Sequence, residues 1–213
     1  LSVQTANCEL KSAQTKLLEI NVDLNRFCIK FFARPDADVD PALFIEIFHE
    51  WIRLKTLKGV LIDVADYRHV PNGPGIMLIS HETNYAMDQH NGQLGVYAQR
   101  KLGEGETHKD RIVDLARAAA QFGSLLEADA RVAGKITIEG GKFHYVANDR
   151  LHAPNTDETF AAIQADLTSA AAELYPGQTV LVTRLENDPR DRLTAVIETQ
   201  QQSLEIKTLI PVA

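Results

Sequence analysis

The chain has 213 residues, with 29 acidic against 22 basic side chains, a formal charge of −7 and a pI near 5.5, a balance that argues against a surface built to neutralise nucleic-acid phosphates. Its 45% hydrophobic and 24% charged residues are the composition of a soluble globular protein rather than a disordered or fibrous one, with length enough for one large core or two half-sized ones. No apolar run approaches the roughly 18–20 residues of a membrane-spanning helix, so neither nucleic acid nor a membrane is an expected partner.

Cys8 and Cys28 stand alone, with neither a disulfide framework nor a zinc-knuckle spacing. The chain begins at Leu1 rather than at a methionine, which leaves room for a removed upstream segment such as a signal peptide; the cytoplasm is the default expectation.

Residues 1–15 are polar and aperiodic and read as a loose arm. Leu18, Ile20, Val22 and Leu24 then alternate with polar neighbours, and Phe27, Ile29 and Phe31 resume the alternation after Asn25-Arg26, which predicts a hairpin. Asp40-Pro41 is a helix start, and Phe44, Ile47, Phe48, Trp51 and Leu54 recur at helical spacing. Val60-Leu61-Ile62-Asp63-Val64 has the pattern of a buried strand. Ile76 to Ile79, after the Pro71-Asn72-Gly73-Pro74-Gly75 loop, predicts another. A further strand is expected near Leu94 to Arg100, then a long helix from Thr107 to about Ala130 with Thr107 and Asp110 at its cap. Gly103 and Gly105 make no phosphate loop, because Glu104 and Glu106 would repel the anion and no Gly-Lys-Ser/Thr follows.

Beyond the long helix the same order recurs. Ile136 to Ile138, Gly140-Gly141 and Phe143 to Val146 spell a hairpin with a primed turn. Asn155 with Glu158 resembles a capping box before Phe160, Ile163, Leu167 and Leu174, and Tyr175-Pro176-Gly177 stops that helix. Strands follow at Thr179 to Leu185, at Leu193 to Thr199, where β-branched residues favour strand over helix, and at Leu204 to Leu209. The expected fold class is therefore α+β: two similar ββαββ, ferredoxin-like halves, mostly antiparallel, with helices on one face, divided at 16–103 and 104–213.

The one concentration of chemistry-bearing residues lies in the first half. Asp63 interrupts an apolar run, where an ionised carboxylate needs a partner, and Asp66, Tyr67 and His69 follow it. The next strand empties into Ser80-His81-Glu82, with Tyr85, Asp88 and His90 beyond. Should both strand ends meet at one sheet edge, Asp63 and Glu82 could serve as acid and base. His69, His81, His90 and Asp88 could hold a divalent ion such as zinc, manganese or iron. Asp66, Tyr67, Tyr85 and the loop amides of Gly73 and Gly75 would then contact a ligand.

The counter-arguments are chemical. His81-Glu82 is followed by Tyr85 where a zinc protease needs its second histidine, adjacent Ser80 and His81 point to opposite faces, and two of the five loop residues from Pro71 to Gly75 lack an N–H. Two functions follow. One is the binding of a metal ion or small molecule at this His/Asp/Glu cluster, with or without catalysis. The other is a non-catalytic, homo-oligomeric interaction module with no bound cofactor, using open sheet edges and the alanine-rich helix.

Overall fold

The computed structural model describes residues 24–101, 107–201 and 203–211; the N-terminal arm, Cys8, the strand expected from Leu18 and the Gly103–Gly105 linker lie outside the described residues or at their margin. Among the described residues eight strands form one antiparallel sheet: β1 (Phe27–Ala33), β2 (Leu61–Asp66), β3 (Ile76–Ser80), β4 (Thr83–Asp88), β5 (Gly95–Arg100), β6 (Ile138–Ala147), β7 (Val180–Arg184) and β8 (Thr194–Thr199). Their spatial order is β2-β3-β4-β5-β1-β6-β8-β7. Three helices, α1 (Ala42–Leu54), α2 (His108–Ala128) and α3 (Asp157–Leu174), complete the α+β architecture. No helix of the described residues is long and apolar enough to cross a membrane.

Strand alternation decides what lies on each face. Register aligns Ile76, Met87, Val96, Phe31, Phe143, Ile197 and Val182 in one row across seven strands, and these side chains belong to the single large core under the helices. Helix α1 enters this core through Phe44, Ile47, Phe48 and Trp51, where Phe48 and Trp51 meet Phe122 of α2 at ring-centroid distances of 5.5 and 5.6 Å. The Thr107–Asp110 capping box is present. On α3 the cap is Thr156, which accepts from the Thr159 amide, while Asn155 turns away to Asn187 and Asp188.

Several expectations need correction. No hairpin forms around Gly140-Gly141: Ile138–Ala147 is one ten-residue strand. The glycines serve close approach instead, since a Cβ on Gly140 would lie 2.9 Å from the Glu205 carbonyl oxygen and one on Gly141 would lie 2.6 Å from that of Gln201. The C-terminal segment pressed against them is not a strand. It makes one bridge, Glu139 to Glu205, and then a 3₁₀ turn over Ile206–Leu209. Strand β2 is not buried but an edge, with Val60 and Ile62 65% and 54% exposed. Thr83–Asp88, read above as part of a site, is the interior strand β4.

Candidate functional site: the helix-free face of the sheet

The two polar sets at the ends of β2 and β3 are not brought together. The strands run antiparallel, with Leu61 opposite Ser80 and Asp66 opposite Ile76, so the Asp66–His69 end and the His81–Glu82 end are separated by the hairpin's length, about 15 Å at the rise of a strand. Asp63 is exposed and accepts from the neighbouring Val64 amide, and a register shift between Leu61 and Asp63 breaks the strand beside it. Asp66 forms a 2.6 Å ion pair with Arg68, whose guanidinium draws its carboxyl down to about 2. His69, His81 and Glu82 are exposed.

Tyr85 faces the core, stacked on Phe122 at 5.1 Å, and burial pushes its hydroxyl up to about 12. Tyr67, Gly73 and Gly75 do come together, around a small 180 Å³ depression. His90 Nδ1 lies 3.1 Å from the Asn72 carbonyl oxygen, and Asp88 is paired with Lys30. Among the described residues no group of three or more His, Cys, Asp or Glu side chains is placed to hold a metal ion.

The large concavity lies elsewhere. Among the described residues the three helices leave one sheet face uncovered, and on it is an open groove of about 1630 Å³. The register that builds the core row also builds the groove floor: Met77, Ala86, Tyr97, Lys30, His144 and Val196 stand side by side across six strands. Loops wall it at both ends, Asn72, Pro74 and His90 at one and Asn148, Asn187 and Arg192 at the other.

Lys30 is the centre of this floor. Its ammonium donates to Asp88 at 2.5 Å and to the Gln93 carbonyl at 2.7 Å, and lies 5.2 Å from the centroid of the Phe32 ring. Burial lowers its pKa while Asp88 opposes the shift; two charges this sheltered persist only as a pair. Gly95 makes the reach possible, since a Cβ there would lie 2.2 Å from the Phe31 carbonyl oxygen and 3.0 Å from the Lys30 stem.

Beside this pair, Tyr97 donates its hydroxyl hydrogen to Cys28 Sγ at 2.7 Å. Burial pushes the Cys28 thiol up to about 11 and the Tyr97 hydroxyl far above its ordinary range, so both are neutral at pH 7. His144 packs edge-on against Phe32 at 4.7 Å, and burial, reinforced by Lys142 and Lys30, takes its pKa down to about 4. It too is neutral at pH 7.

Although the whole chain carries −7, the groove is lined, among the described residues, by six cationic side chains, Lys30, Arg34, Lys142, Arg150, Arg190 and Arg192, and by three carboxylates, Asp88, Glu139 and Asp191. Four of the cations are paired: Lys30 with Asp88, Arg34 with Glu139, Lys142 with Glu198 and Arg190 with Asp188. Among the described residues Arg150 and Arg192 pair with no carboxylate. Arg150 donates to the Arg190 carbonyl, and Arg192 to Asn148 Oδ1 at 3.2 Å.

Such a floor could not be found from spacing alone. Cys28, Lys30, Tyr97, His144 and Arg192 come from three strands and a loop, and only the strand order makes them neighbours. One signal was available: Lys30 sits within Phe27–Ala33, an otherwise apolar strand.

A second polar assembly lies at the other face. His108, at the start of α2, places Nδ1 3.1 Å from Asp166 and Nε2 3.0 Å from the Tyr145 hydroxyl. With Tyr145 fully buried and its hydroxyl pushed far up by that burial, the chain ties α2 and α3 to β6. Comparison with protein-family models, with curated proteins and with solved structures finds no match to this chain.

Proposed function

We propose that this is a binding protein that holds an elongated small molecule along the helix-free face of its sheet. The observation that carries this is the groove itself, whose 1630 Å³ exceed the roughly 300–1,000 Å³ of a compact small-molecule pocket. A mixed floor supports the same reading: apolar Met77, Phe32, Val146 and Val196 offer contact area, while Asn148 and Arg192 offer directional donors. Recognition without catalysis fits the chemistry, because the thiol, the phenol and the imidazole are all held in their neutral, less reactive or non-titrating forms at pH 7.

The test uses 8-anilinonaphthalene-1-sulfonate, an aromatic reporter with one anionic group. Wild type is expected to bind it saturably under native conditions and to melt at higher temperature in its presence, and Val196→Trp, which fills the groove floor, to abolish both effects. A response equal in the two proteins, or none in wild type, would remove this function.

A second function, assembly into a homo-oligomer, is favoured by the edge strand β2, where Val60 and Ile62 stand exposed beside an unpaired backbone ladder. Antiparallel pairing of β2 with β2 of a second copy would close the edge isologously. Light scattering would then give a dimer that Ile62→Lys splits, and a monomer at every concentration would contradict it. We further read the two halves as related units, each running strand, helix and meander, with the last strand, β5 or β8, returning beside the first, β1 or β6.

A further inference from the structure

We propose that the arginine end of the groove is a carboxylate site: Arg192, braced by Asn148 and flanked by Tyr97, receives the acid group of a ligand whose uncharged body lies along the floor toward Phe32 and Met77. This rests on the groove being a binding site, and goes beyond it by naming what the groove selects.

Lys30 and Asp88 cancel each other at 2.5 Å, and Tyr97, Cys28 and His144 are neutral at pH 7. The floor is thus electrically silent along most of its length, which suits an uncharged body rather than a polyanion. At one end stands Arg192, half-buried, with no carboxylate paired to it among the described residues; its side-chain partners are all neutral, Asn148 Oδ1 at 3.2 Å and the Tyr97 and Cys28 side chains. The nearest floor acid, Asp88, is already engaged by Lys30.

Burial disfavours the Arg192 cation, while Tyr97, Cys28 and the charge of Asp88 favour it and hold its pKa raised; it thus stands charged with no carboxylate of its own, and a sheltered guanidinium gains from acquiring one. Its planar fork of donors matches the two oxygens of a carboxylate. The second unpaired cation, Arg150, stands at the same end and is exposed, and the exposed Asp191 precedes Arg192 in the chain. Two cations less the Asp191 carboxylate leave one net positive charge at this end, which fits a monoanion better than a phosphate dianion.

The experiment is an NMR titration of the full chain with three eight-carbon probes: octanoate, 1-octanol and octyl phosphate. The expected result is that all three shift groove resonances, with octanoate binding about 10- to 100-fold tighter than octanol, the worth of a hydrogen-bonded charge pair. In Arg192→Met, octanoate should fall to the octanol level while octanol is unchanged. Should that variant fail to fold, wild type alone still decides, since added salt must weaken octanoate and leave octanol unaffected. Equal binding of octanoate and octanol, with shifts in the groove, would overturn the carboxylate site and leave the groove standing. Octyl phosphate binding more than tenfold tighter than octanoate would overturn it in favour of phosphate. Shifts outside the groove, or none, would overturn the groove as well.

Discussion

The same six strands present two unlike surfaces. Toward the helices, Ile29, Phe31, Phe143, Tyr145 and Ile197 are almost completely sealed and meet mostly carbon. Toward the open side, their immediate neighbours Lys30, Phe32, His144 and Val196 form a mixed floor in which polar groups are held by one another or by the backbone. The covered face is stabilised by volume and burial. On the open face the pairing of Lys30 with Asp88 and of Tyr97 with Cys28 fixes side chains without filling the space above them. One backbone therefore carries stability on one side and an open, pre-organised surface on the other.

Substitutions on neighbouring positions sharpen this contrast. Phe143→Ala, in the core row, is expected to cost about 3–5 kcal/mol by urea unfolding, whereas Phe32→Ala, one strand away on the groove side, should cost about 1 kcal/mol or less because its ring is only half-buried. Similar losses at both positions would erase the distinction between the faces.

Lys30→Met is the exception expected on the open face. It strands Asp88 among buried neighbours and should cost about 3 kcal/mol, and adding Asp88→Leu should restore most of that loss, since a buried pair replaced whole is close to neutral. A double variant no more stable than the single one would show that the pair does more than cancel charge.

The smallest effect is a pH slope. His144 titrates near pH 4 in the folded protein against an ordinary 6.5, so the unfolded chain binds more protons between these values. Its contribution to stability is then complete above pH 6.5 and is lost as the pH falls toward 4, on the order of 1 kcal/mol for a half-buried ring. Unfolding curves of His144→Gln should lack this part of the acid destabilisation; an unchanged slope would assign it to other groups.

Helices α1, α2 and α3 and strands β1, β3, β5, β7 and β8 were legible in the sequence because their apolar periodicity is local. Strand β4 was not, although Thr83, Tyr85 and Met87 do alternate with Asn84, Ala86 and Asp88. Its Asp88 lines the groove and its Tyr85 faces the core, and without the strand order the two look like part of a metal or catalytic cluster. Gly140-Gly141 misled for a similar reason: a double glycine signals a turn locally, but here it admits the carbonyls of Gln201 and Glu205, sixty residues on.

The site was the least legible part. Asp88 and His90 were singled out for metal binding and do lie at the groove, yet the partner that explains Asp88 is Lys30, 58 positions away in the chain. Arg192 carried no sequence signal at all. Its loop reads as a charged, solvated turn, and its importance depends on which of its neighbours are neutral, which is a property of burial rather than of spacing.

The most direct test of a binding surface confined to one face is methyl NMR with octanoate added to wild type. Groove methyls, those of Met77, Val146 and Val196, should shift saturably with a common affinity, while the core-side methyls of Ile29, Val96 and Ile197 on the same strands stay in place. Shifts spread equally over both sets, or absent from the groove set, would contradict the account.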